Sequence, residues 1–167
     1  MKTLIDTGLA RVSAPISWAT LGNGIMFTAQ VPFDDAGRLT GTDILEQTAQ
    51  CLRNLARTLA AASARMDDVT QVVVFLTQLE DVAGMNDVYR EHFTPPYPNR
   101  ATIIVAGLTV PGMRVEMLAY AALGRPKRAR VPRTLAGTRR SSRPAASRRP
   151  VPGRVRADGP PRGGRHG

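Results

Sequence analysis

Two charged side chains stand beside apolar runs in the second half of the chain, and their types suggest chemistry. Arg100 follows a stretch with prolines at 95, 96 and 98, and it precedes the apolar, β-branched residues 102–105. Prolines restrict the backbone, so this approach is stiff. Glu116 is the lone acid in a second strand-like run, residues 114–121. Because a guanidinium binds a planar carboxylate through two parallel hydrogen bonds, the pair indicates a site for a small carboxylate.

Charge divides the chain into two unlike parts. Residues 1–124 carry a net charge of −3, whereas residues 125–167 carry +13 and supply the overall excess of +10. About 124 residues suit one domain with a single core. The remainder consists mostly of Arg, Pro, Gly, Ser and Ala, and such a composition cannot bury enough apolar surface to fold. We therefore predict one domain over residues 1–124 and a disordered basic tail over residues 125–167.

Composition also argues against several classes of protein. A single cysteine, Cys51, allows no internal disulfide, and two histidines make a histidine-rich metal site implausible. The lysines Lys2 and Lys127 lie outside the expected core, which argues against Schiff-base chemistry. No apolar run approaches the length that spans a membrane, and no secretory leader is recognisable. A cytoplasmic protein without metal or organic cofactor is expected.

Periodicity predicts the elements that would position the two charged residues. Gly22-Asn23-Gly24 between two apolar runs indicates a β-hairpin, and Asp43 is suited to cap a helix. The complete prediction is strands at residues 3–9, 18–21, 25–30, 69–79, 102–106 and 114–121, with helices from 43 to about 64 and from 81 to before 95. This order predicts an α+β fold in which two helices cover one face of a mixed sheet. The other face should then need a partner, which a symmetric oligomer supplies.

The order and spacing of several short segments resemble the Rid family, also called YjgF or L-PSP proteins. The matching segments are residues 27–32, 50–55, 72–76, 85–89, 98–102 and 115–116. The resemblance implies chorismate-mutase-like subunits assembled as a homotrimer, with three sites in the clefts between subunits. It also implies a cofactor-free deaminase that hydrolyses 2-imino or 2-enamino acids to 2-oxo acids and ammonia.

The resemblance also implies roles for individual residues. Arg100 stands where the family grips the substrate carboxylate, and Glu116 stands where it holds the attacking water. Thr28 occupies the place of a frequent serine, and Thr102 that of a frequent cysteine. With Trp18, these two threonines are the candidate substrate contacts. For the threonines, an ordinary role in their strands is the better interpretation, and for Trp18, packing or a subunit interface is an equally good one.

Two further departures from the family pattern concern the substrate range. No tyrosine occurs near residues 16–18, where active members often have one, and Leu118 replaces a second acid.

Other interpretations remain open at this stage. The same scaffold could bind a small carboxylate without catalysis, and the arginines of the tail could contact RNA or another polyanion without sequence preference. Arg100 could be an ordinary surface arginine. We interpret Asn86 as structural and Cys51 as an inert thiol off the main apolar face of its helix.

Overall fold

The computed structural model describes residues 1–123, in which two α-helices pack on a six-stranded sheet. The predicted tail lies outside the described residues. In chain order the elements are β1 (Thr3–Leu4), β2 (Ala19–Gly22), β3 (Ile25–Gln30), α1 (Ile44–Ala61), β4 (Val69–Leu76), α2 (Asp81–His92), β5 (Asn99–Ile104) and β6 (Val115–Ala122). A short 3₁₀ turn, Met66–Asp68, precedes β4. The predicted order of strands and helices is confirmed.

The sheet is mixed, as the sequence predicts. Its strand order is β1-β2-β3-β6-β4-β5, and among these neighbours only β4 and β5 run parallel. A parallel pair needs a crossover, and α2 supplies it. No helix among residues 1–123 is both long and apolar enough to cross a bilayer.

Local signals explain how the first elements form. Asn23 and Gly24 both have positive φ, as a tight two-residue hairpin turn requires, and β2 pairs with β3 across it. The carboxylate of Asp43 accepts a hydrogen bond from the backbone N–H of Glu46 at 2.9 Å and caps α1. The helix ends at Ala61, earlier than predicted, because Ser63 takes a left-handed backbone conformation.

Both helices cover the same face of the sheet and form the core with it. The predicted position of Cys51 off the main apolar face of its helix was wrong, because its side chain is fully buried in this core. Burial raises the pKa of the Cys51 thiol, which is consistent with the inert thiol that was predicted. The neighbours of Cys51 on α1 include buried polar residues: Gln47 binds the carbonyl of Gly112, and Asn54 binds that of Val31. The buried face of α1 is therefore wider than its apolar residues alone indicate.

The opposite face of the sheet has no helix over it, and we call it the bare face. The strand registers place Phe75, Ile103 and Glu116 side by side on it, with Phe27 opposite Tyr120. Phe27 and Ile103 remain 43% and 44% exposed. Such a patch of large apolar side chains is typical of an interface.

The strand that carries Arg100 differs from expectation. Residues 102–105 have the composition of a buried strand, yet all six residues of β5 are exposed. The reason is topological, since β5 is the edge strand and pairs only with β4. Its apolar side chains are those of an edge that is not covered within one subunit.

Candidate active site

The guanidinium of Arg100 rests on one side of α2. Arg100 pairs in register with Val72, whose side chain lies in the core, so Arg100 projects on the helix side of the sheet. Its Nη2 donates to Oδ1 of Asn86 at 2.6 Å, and its Cζ lies 4.7 Å from the centre of the Tyr89 ring. A guanidinium over an aromatic face is attracted to the ring's electrons. Nη1 of Arg100 also donates to the sulfur of Met85 at 3.8 Å, so two hydrogen bonds and one ring orient the group.

The surroundings leave the charge of Arg100 available to a ligand. Among residues 1–123, no carboxylate forms an ion pair with it. Tyr89 stays neutral at ordinary pH, because burial raises its pKa to about 12 despite the opposing effect of Arg100. The guanidinium is therefore a positioned cation with free N–H groups, which is what carboxylate binding requires.

A cavity of about 350 Å³ opens beside this arginine. Its volume is within the range usual for small-molecule sites. It is lined by Asn86, Tyr89, Arg90, Tyr97, Pro98 and Arg100, and none of these six is acidic. The cavity is thus suited to an anion.

Glu116 lies on the bare face, on the other side of the sheet from Arg100. It pairs in register with Phe75, and its neighbours along β6 on either side, Val115 and Met117, point into the core. Burial raises the pKa of the Glu116 carboxyl above its usual value. A carboxylate on an apolar face with a raised pKa is suited to accept a proton from water. Within one subunit, however, it does not meet Arg100.

The three candidate substrate contacts do not lie together in one subunit. Thr102 is exposed on β5 and projects on the same side as Arg100, two residues away. Thr28 lies on β3, and two strands, β6 and β4, separate it from β5. Trp18 precedes β2, next to Thr28. One subunit therefore brings Thr102 close to Arg100, whereas Thr28, Trp18 and Glu116 lie away from this arginine.

Thr28 and Trp18 already have hydrogen-bond partners. The hydroxyl of Thr28 donates to the carbonyl of Trp18 and accepts from the amide of Gln30, each at 2.7 Å. The indole N–H of Trp18 donates to the carbonyl of Ala10 at 2.8 Å, and its ring meets Phe33 edge-on. In the subunit both residues thus serve to hold the chain before β2.

The sequence analysis missed two residues that position Arg100. Asn86 was interpreted as structural only, but its side-chain oxygen holds the guanidinium. Tyr89 was not a candidate site residue, yet its ring lies under Arg100. Their spacing of three residues on one helix face is the signal that could have paired them with a common partner.

The fold and this geometry define a class: α+β proteins with two helices on one face of a mixed sheet and an anion-binding arginine at the sheet edge. Comparison with known proteins places the chain in a family. Residues 10–123 match the family model described as Endoribonuclease L-PSP. The chain belongs to this family.

Named relatives agree with that placement. A RutC family protein of Pyrococcus horikoshii is 36% identical over 124 residues, which cover 72% of this chain and 98% of that protein. A protein of Capra hircus named 2-iminobutanoate/2-iminopropanoate deaminase is 33% identical over 127 residues, covering 74% and 92% of the two chains. The crystal structure of a Rid family protein of unknown function from Yersinia pestis superposes with a TM-score of 0.69 at 29% identity, covering 74% of this chain and all of the other.

Proposed function

We propose that this chain is a cofactor-free deaminase that hydrolyses 2-imino and 2-enamino acids to 2-oxo acids and ammonia. The observation that carries the proposal is the oriented guanidinium of Arg100, which lines a cavity without acidic side chains. Support also comes from the goat relative that is named for this reaction.

Arg100 would bind the substrate carboxylate. A guanidinium offers five N–H donors in a plane, and Asn86 accepts from only one of its nitrogens, Nη2. Nη1 also donates to the sulfur of Met85 at 3.8 Å, which leaves three of the five N–H donors for the two parallel hydrogen bonds that a carboxylate prefers. Because Asn86 and Tyr89 already hold the group, binding costs little additional side-chain entropy.

Glu116 would activate the water. The imine carbon is electrophilic, so the water oxygen forms a bond to it while the carboxylate takes a proton. The nitrogen of the neutral imine then gains two protons in turn: the one that Glu116 took from the water, and the one left on the new hydroxyl. The carbon–nitrogen bond breaks, ammonia leaves, and the hydroxyl oxygen becomes the carbonyl. An enamine first takes a proton at carbon 3 and becomes the imine. A positioned base contributes about 10²–10⁴-fold to such a step. The reaction needs no electron carrier, so no cofactor is implied.

The site would form only between subunits. Arg100 and Glu116 project from opposite faces of one sheet, so a substrate that touches both must lie between two copies of the chain. The bare face and the exposed edge strand β5 offer apolar surface for that contact. We propose a homotrimer in which the Arg100 side of one subunit approaches the bare face of the next. Three equivalent sites result.

The remaining candidate contacts have secondary roles in this proposal. Thr102 would line the cleft beside Arg100, since both project on the same side of β5. Thr28 and Trp18 would shape the wall that the neighbouring subunit presents. The cytoplasmic location and the polyanion contact of the tail stay predictions, and no observation on residues 1–123 favours RNA as a ligand over a small carboxylate.

An imine assay tests the proposal directly. An amino-acid oxidase generates 2-iminopropanoate from alanine in the cuvette, and loss of the imine is followed with and without the full-length protein. We expect a rate above the spontaneous one, and Glu116→Gln should lose turnover while it still binds 2-oxobutanoate. Binding of 2-oxo acids without turnover by either form would favour a non-catalytic carboxylate-binding protein.

A further inference from the structure

The cavity beside Arg100 contains a second guanidinium for which the proposed reaction on simple imino acids has no use. Arg90 lies one helical turn after Asn86 on α2, and both line the cavity with Arg100. Residues four apart on a helix share a face, which explains why Arg90 reaches the same space. The two arginines bring two positive charges to one cavity.

Arg90 is free to turn toward a ligand. Its present partner is Asp87, with Nη1 to Oδ1 at 2.6 Å, and the two side chains are 61% and 72% exposed. Exposed ion pairs of this kind contribute little to stability. Arg114 offers a contrast, since two of its nitrogens bind the buried carboxylate of Asp81. Arg90 is therefore held much less firmly than Arg114.

Two guanidinium groups fit a ligand with two anionic ends. One carboxylate occupies one guanidinium fork, so a monocarboxylic substrate bound at Arg100 leaves Arg90 without a role. The rings of Tyr97 and Tyr89 and the ring of Pro98 add apolar surface to the same cavity. These groups suit the short carbon chain that separates two carboxylates.

We propose that the cavity selects dicarboxylic 2-imino acids, the imines of acidic amino acids. Arg100 binds the carboxylate next to the imine, and Arg90 binds the carboxylate of the substrate side chain. The inference rests on the proposed deaminase function and adds to it the class of substrate. Arg90 is then the residue that determines specificity.

The ratio of two activities tests this assignment. An aspartate oxidase generates iminosuccinate from aspartate, and an amino-acid oxidase generates 2-iminopropanoate from alanine. We expect the full-length protein to have the higher kcat/KM on iminosuccinate. Arg90→Gln should lower the ratio of the two kcat/KM values about tenfold, the effect of losing one hydrogen bond to a charged group at a partly exposed site.

Arg53→Gln is the matched control. Arg53 is an exposed arginine on α1 that lines a different cavity, so its loss changes the net charge by the same amount. We expect it to leave the ratio unchanged. An unchanged ratio in Arg90→Gln, or an equal fall in both variants, would overturn the assignment.

A binding measurement separates this inference from the proposed function. If no imine is hydrolysed, the deaminase proposal fails, and calorimetry with succinate and butanoate still decides the role of Arg90. About tenfold tighter binding of succinate, lost in Arg90→Gln but not in Arg53→Gln, would support the dicarboxylate site. Equal affinities for the two probes in the unmodified protein would refute it.

Discussion

Replacing Phe27 on the bare face by aspartate should separate the subunits without unfolding them. Phe27 is 43% exposed, and its ring meets Tyr120 edge-on at 5.4 Å between ring centres. The other side of its strand, with Met26 and Thr28, supplies the core contacts. A polar residue at position 27 is therefore tolerable in the folded subunit, but not under a neighbouring one.

The magnitude follows from the exposed fraction. Complete burial of a large apolar side chain contributes about 1.5–3 kcal/mol, so covering the exposed part of Phe27 contributes about 1 kcal/mol in each subunit and about 3 kcal/mol in a trimer. In Phe27→Asp that contribution is replaced by the cost of burying an unpaired carboxylate, which is several kcal/mol per subunit. The change should thus move the assembly to monomers at micromolar concentration.

Sedimentation velocity, far-UV circular dichroism and the imine assay measure the outcome together. We expect Phe27→Asp to be a folded monomer without deaminase activity. Leu45→Asp is the matched control, since Leu45 is 48% exposed but lies on α1, away from the bare face. It should keep both the trimer and the rate. A Phe27→Asp trimer with the unmodified rate would refute the assignment of this face to the interface.

Three further predictions concern single side chains. Arg100→Lys should lower kcat/KM on imino acids by about 10² or more in the imine assay, because a lysine cannot form two parallel hydrogen bonds; a rate near that of the unmodified protein would mean that the carboxylate binds elsewhere. The charged form of Glu116 is the base, and burial raises the pKa of this carboxyl. As the pH is lowered, kcat/KM should therefore begin to fall at a pH above the ordinary carboxyl pKa. A pH–rate profile that is flat through this region would contradict the role of Glu116. Asp81→Asn should lower the free energy of unfolding by about 2–3 kcal/mol in urea titrations, since Arg114 loses a buried bidentate partner. Asp87→Asn, which loses only an exposed pair, should change it by less than about 0.5 kcal/mol, and equal effects would disprove the difference in burial.

Local signals in the sequence were enough to predict the elements of this fold. Asn23-Gly24 indicates its hairpin because both residues adopt positive φ readily, and Asp43 indicates the start of α1 because its carboxylate satisfies a free backbone N–H. These interactions involve residues at most a few positions apart. Periodicity then assigns helix or strand without knowledge of distant neighbours.

The candidate site could be predicted only as a set of residues, not as an arrangement. The faces to which Arg100 and Glu116 project depend on the registers of β4 with β5 and with β6, which are contacts between distant segments. The position of β5 at the sheet edge likewise depends on strand order, so its apolar composition wrongly indicated burial. The burial of Cys51 was missed because its helix face also contains polar residues whose hydrogen bonds are long-range.

Mixing two inactive variants tests the central claim most directly, because it asks whether one site uses residues of two subunits. Arg100→Ala and Glu116→Gln chains are co-expressed in equal amounts, and mixed trimers are verified by native mass spectrometry. If each site takes Arg100 from one subunit and Glu116 from the next, random assembly leaves about one quarter of the sites with both native residues. The account predicts that the mixture recovers about one quarter of the unmodified deaminase rate. Mixed trimers as inactive as the two parent variants would contradict it.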